Sequence, residues 1–74
     1  MSSVYTSYYV NNDETNNPRR HHEVHTEEHA NELNIRDKTY LGYYNNCHDA
    51  VEKAKSTYSN ADGCAICCFP CHTG

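Results

Sequence analysis

Trp is absent from this chain, Phe and Met occur once each, and aliphatic side chains are few. Burial is thereby limited, and seven tyrosines supply most of the large apolar surface. With 74 residues the chain reads as one small domain, 1–74, near the size at which a hydrophobic core alone contributes only a few kcal/mol. A staple is expected. An excess of Lys and Arg is also missing: the net charge is −4 with neutral histidines. That excludes a general binder of phosphate backbones, so nucleic acid is not the expected partner. The one basic cluster, Arg19-Arg20 followed by His21-His22, lies beside Pro18 and reads as solvated loop. The N-terminal MSSVYTSYYV has no basic region ahead of a long apolar run, so neither a signal peptide nor a membrane span is expected, and a cytoplasmic location follows. In a reducing compartment closely spaced cysteines more often hold metal than form bridges. The five cysteines are an odd number, which leaves at least one outside any intramolecular disulfide scheme.

What is present divides into short elements. Val4 to Val10 is rich in β-formers and reads as a strand with Tyr5 and Tyr9 on one face. Asn11 to about Arg20 is polar, turn-forming and without periodicity, and reads as a mobile loop. The following RRHHEVHTEEHANEL has two readings. As a helix it sets His21, His25 and His29 on one face, but Val24, Ala30 and Leu33 build no apolar stripe. As a strand over Glu23 to His25 it loops back through Thr26 to Leu33, with His25 and His29 at the two ends of a short turn. The strand-and-turn reading is preferred, with a helical turn near His29 to Leu33 kept open. Thr39 to Tyr44 is a second strand in which Tyr40 and Leu41 point opposite ways and Gly42 marks a bulge. Cys47 to about Tyr58 is the main helix: Asn46 is its N-cap, Asp49 complements the dipole, and Ala50, Val51, Ala54 and Tyr58 share a face. Ser59 to Gly63 reads as a turn. The expected class is α+β: a short antiparallel sheet, one main helix and a C-terminal cysteine knuckle.

The chemistry concentrates in two pairs. Tetrahedral zinc sites commonly join two close ligand pairs that are remote in sequence, so that metal closes the intervening loop. His25-Thr-Glu-Glu-His29 is one such pair and Cys64-Ala-Ile-Cys67 the other. Gly63 permits a tight turn ahead of Cys64. A redox C-x-x-C normally opens a helix after a strand, whereas this one follows a helix. Cys68, Cys71 and His72 open a rival: Cys64, Cys67, Cys71 and His72 would form a purely C-terminal site, but four ligands so close together would stabilise little of the remaining chain. Cys47 reads as a small residue packed on the apolar side of the helix. His48, His21 and His22 read as solvent-facing.

The run from His25 through Arg36-Asp-Lys-Thr-Tyr-Leu-Gly42, Cys47-His-Asp-Ala-Val-Glu-Lys-Ala-Lys55 and Asp62-Gly-Cys-Ala-Ile-Cys67 resembles a family of small bacterial and phage-borne proteins. Their pattern is in turn similar to the N-terminal zinc module of Ada-type DNA-repair proteins. The resemblance covers about residues 22 to 74. It implies one zinc held at His25, His29, Cys64 and Cys67, and methyl acceptance by a ligand thiolate. Imidazoles at the first pair cannot take that role, which would leave it to Cys64 or Cys67.

The reading that follows is a small non-enzymatic domain with a structural Zn2+ on His25, His29, Cys64 and Cys67, supporting a surface for a protein partner. A thiol-based methyl acceptor and a metal storage or trafficking protein using Cys68, Cys71 and His72 are the alternatives.

Overall fold

The computed structural model describes residues 5–13 and 21–72. The expected loop at about 11–20 therefore falls mostly outside the described residues. Asn11 closes the first strand, and Asn12 is anchored: its amide N–H donates to the Asp37 carbonyl at 2.9 Å. Its side-chain oxygen accepts from Thr39 at 2.8 Å and from the Tyr58 hydroxyl at 2.9 Å.

Six main elements follow in chain order: β1 (Thr6–Asn11), β2 (His22–Thr26), α1 (Glu27–Glu32), β3 (Lys38–Tyr44), α2 (Cys47–Lys55) and β4 (Ala61–Gly63), closed by a 3-10 turn at Phe69–Cys71. The sheet order is β3-β1-β2-β4. Its first three strands are antiparallel, and β4 joins β2 in parallel. The segment 59–63, expected as a turn, thus holds a fourth strand. Three residues of composition Ala-Asp-Gly carry almost no β-signal, and the pairing with β2 supplies what the local sequence lacks.

Tyr8 and Val10 of β1, Val24 of β2 and Leu41 of β3 point to one face, where Ala50, Val51 and Ala54 of α2 cover them with Ala61, Cys64 and Cys68. The largest fully buried side chains are only Val10, Val24 and Cys68. Such a thin core fits the scarcity of aliphatic residues and leaves stability dependent on other ties. Helix α2 starts as expected, with the Asn46 side chain accepting from the Asp49 N–H at 2.9 Å and an Asp49 carboxylate near the positive end of the dipole. It ends at Lys55, short of the expected Tyr58, and Tyr58 packs half-buried beyond it.

Strand β3 contains the bulge expected at Gly42. Tyr8 pairs with Gly42 and Tyr9 with Tyr40, so Leu41 has no partner of its own on β1. Gly42 has φ +139°, and a Cβ there would meet the Tyr44 ring at 2.8 Å. The positive φ is what favours glycine here, since the ring is the movable end of a side chain.

Candidate metal centre

His25 and His29 do not share one helix. His25 is the penultimate residue of β2 and His29 lies in the first turn of α1, with the direction of the chain changing at Thr26. Thr26 is the N-cap of α1, its hydroxyl accepting from the His29 N–H at 3.3 Å. This cap turns the four-residue spacing into two imidazoles facing each other, centroids 5.4 Å apart and rings at 69°. His25 is 2% exposed.

The cysteine half is delivered by β4. Its parallel register with β2 continues one step past the strand, where the Cys64 N–H donates to the Val24 carbonyl at 3.0 Å. Cys64 is thereby set beside His25. The chain then turns sharply: the Cys68 N–H donates to the Cys64 carbonyl at 2.9 Å, and the Ile66 N–H points to the Cys64 sulfur at 3.4 Å. That turn returns Cys67 to the histidines. Gly63, expected to permit a tight turn, has another role: a Cβ on it would meet the Cys68 carbonyl at 2.8 Å and the Cys71 Cβ at 2.9 Å. Its lack of a side chain lets the knuckle fold back onto β4.

The four residues are positioned to bind a metal ion, their donor atoms all within 4.8 Å of one another. Cys64 Sγ is 3.6 Å from His29 Nδ1 and Cys67 Sγ is 3.7 Å from His25 Nδ1. Both imidazoles therefore turn Nδ1 inward. The outer nitrogen of His25, Nε2, lies 3.6 Å from a Glu23 carboxylate oxygen, the position from which a carboxylate orients a ligating imidazole.

The thiols are unequal. Cys67 is held well below the usual cysteine range, chiefly because the Cys68 thiol donates to it; burial opposes this, and His25, the Thr26 N–H and His29 assist. Cys68 is pushed far up by the same hydrogen bond and by burial. Burial also raises Cys64, against the pull of the Cys67 and Ile66 N–H groups. The shared hydrogen bond thus favours negative charge on Cys67 over Cys68. Cys68, read from the sequence as a spare ligand beside Cys71 and His72, is fully buried in the core next to Cys67.

The remaining sulfurs are differently engaged. Cys47 and Cys71 form a disulfide with a Cα–Cα distance of 6.4 Å. Cys47 packs against the core as expected, but as half of a bridge and not as a free thiol, which corrects the general expectation that the cysteines stay unbridged. Docking of α2 against the knuckle brings the two together across 24 residues. The rival C-terminal site is not assembled, since Cys71 is in the bridge and His72 Nδ1 donates to the Gly63 carbonyl at 2.9 Å, with an Asp62 carboxylate oxygen 3.3 Å away. His21 also approaches Asp62, at 3.6 Å. His22 stacks on Tyr58 with centroids 3.7 Å apart, and its Nδ1 donates to the Asn11 carbonyl. Both are half-buried by these contacts, unlike the solvent-facing pair expected. His48 is exposed as expected.

Among the described residues no helix is long and apolar enough to cross a membrane. No protein-family model, curated protein or solved structure matches the chain. The resemblance to the Ada-type zinc module accordingly rests on the quoted residues alone.

Proposed function

We propose that this chain is a small zinc-binding domain in which one structural zinc on His25, His29, Cys64 and Cys67 holds a surface for a protein partner. The observation that carries it is the convergence of two imidazoles and two thiols in one metal-sized cluster. Zinc bonds of about 2.3 Å to sulfur and about 2.0–2.1 Å to nitrogen at tetrahedral angles require sulfur–nitrogen edges of about 3.5 Å. The two measured edges, 3.6 and 3.7 Å, come close to this. Two soft thiolates with two imidazoles favour zinc over magnesium or calcium. Four protein ligands leave no open position for water, so the proposal includes no hydrolytic activity. The ligand thiols must be reduced, which suits a cytoplasmic location, where a bridge such as Cys47–Cys71 is usually transient.

Native mass spectrometry tests the proposal. One zinc per chain is expected, lost on chelation together with the dispersion of the NMR spectrum. A chain that is well dispersed without metal, or that takes up no zinc, would refute it. Two or more zinc ions per chain would favour the storage alternative instead.

A second reading has its own observation in the lowered, half-exposed Cys67. Its sulfur would attack the methyl carbon of an alkyl phosphotriester, releasing the phosphodiester anion. Mass spectrometry after incubation with methylated DNA decides this, since only the second reading expects a methyl group on Cys67.

A further inference from the structure

The sheet has a second face. Tyr5, Tyr9, Tyr40 and Tyr43 gather there in two ring pairs: Tyr5 stacks on Tyr43 with centroids 5.5 Å apart, and Tyr9 meets Tyr40 at 5.3 Å and 59°. Tyr5, Tyr40 and Tyr43 are 51%, 54% and 62% exposed. In a regular strand Tyr40 and Tyr43, three residues apart, would point to opposite faces. The bulge at Leu41-Gly42 removes that conflict. It leaves Tyr9 opposite Tyr40 and Ser7 opposite Tyr43, so both β3 rings reach the face that carries Tyr5 and Tyr9. Bulges commonly re-aim side chains at functional positions, and this one converts an odd spacing into a continuous aromatic surface.

We infer that this tyrosine face binds a proline-rich peptide segment in the polyproline II conformation. The inference rests on the proposal that the domain presents a recognition surface to a protein partner. Aromatic surfaces are the usual docking sites for such segments, whose rings stack on aromatics and whose backbone carbonyls have no internal partners. The four tyrosines match that need: among the described residues no hydrogen bond engages their hydroxyls, leaving four donors beside the rings. Spacing agrees as well. Tyr5 and Tyr9 stand about 13 Å apart along an extended chain, the length of about four residues of polyproline II.

Charge selects among aromatic-binding ligands. Single-stranded nucleic acid would also stack on such rings but needs cations for its phosphates. Lys38 is the one cation in β1 and β3, and its ammonium is already committed, donating to the Ile35 carbonyl at 2.9 Å and lying 5.3 Å from the Tyr9 ring centre. With a net charge of −4, the chain favours a neutral segment or one with a basic flank.

The test uses the full, zinc-loaded chain, whose tyrosine fluorescence is free of tryptophan. It is titrated with a polyproline peptide bearing one terminal arginine and, separately, with oligothymidylate. Saturable peptide binding is expected, with NMR shift changes confined to residues 5–9 and 38–44. Tyr40→Ala and Tyr43→Ala should each weaken it by roughly tenfold, as central aromatic anchors do. Tyr40→Phe and Tyr43→Phe, which keep the rings, should weaken it only a few-fold. Zinc content is measured on every variant, so loss of the fold is not mistaken for loss of the face. Absence of peptide binding by a chain that retains its zinc, binding indifferent to both alanine changes, or preference for oligothymidylate at the same tyrosines would each overturn the inference. Failure to hold zinc at all would instead count against the structural-metal proposal.

Discussion

Each sulfur of the cluster has a separate task, and the tasks differ in what they expose to a reagent. Cys67 is partly exposed and its pKa is lowered by the neighbouring thiol, while Cys64 and Cys68 are buried and theirs are raised. Iodoacetamide added to the zinc-loaded chain at neutral pH should therefore label Cys67 first, as peptide mapping would report; first labelling at Cys64 would contradict this order. The pH dependence follows the same residue. A thiol whose pKa is lowered by folding adds stability that is fully present above its unfolded value, about 8.5, and is lost as pH falls. The zinc-loaded chain should then unfold at lower denaturant as pH falls, since protons displace metal from the thiolates; a midpoint independent of pH would contradict this. Glu23 offers a gentler probe. Glu23→Gln removes the carboxylate near His25 Nε2 and should lower zinc affinity by roughly tenfold, whereas Cys64→Ser removes a ligand and should exceed the ~10–100-fold range of outer-shell changes. Competition with a chromogenic chelator measures both.

Among the elements, the ones that close long loops carry the largest predicted effects. The Cys47–Cys71 bridge spans 24 residues, and loop-closure entropy for that length is about 3 kcal/mol. Cys47→Ser should cost clearly less than that in denaturant unfolding of the zinc-loaded chain, because bound metal would already restrain the same segment. A cost of the full ~3 kcal/mol would show that the two ties act on separate regions. This bridge also marks where sequence reading ended. The ligand pairs were legible because each is a short spacing of residues with the right chemistry, and α2 was legible from its cap and apolar face. Neither β4 nor the disulfide announced itself, since Ala61-Asp62-Gly63 forms a strand only by pairing with β2, and Cys47 meets Cys71 only once α2 has docked. The histidine spacing fitted either one helix or a strand and turn. Thr26 decides for the latter by capping α1 between the two ligands.

At the scale of the whole molecule, the thin core, the histidine–cysteine cluster and the bridge form one system. The described chain has a radius of gyration of 11.1 Å, and Tyr8 is the one tyrosine among the described residues less than a tenth exposed. Chelation should consequently unfold the reduced chain cooperatively, with circular dichroism and NMR dispersion lost together; a gradual, local loss near the knuckle alone would show that the sheet stands without metal. The parallel pairing of β2 with β4 adds a matter of timing. During synthesis His25 and His29 emerge long before Cys64 and Cys67, and two imidazoles alone make a poor zinc ligand set. On the structural-zinc proposal, metal capture and the laying of β4 along β2 would therefore be one late, coupled step, since all four donors exist only in that pairing.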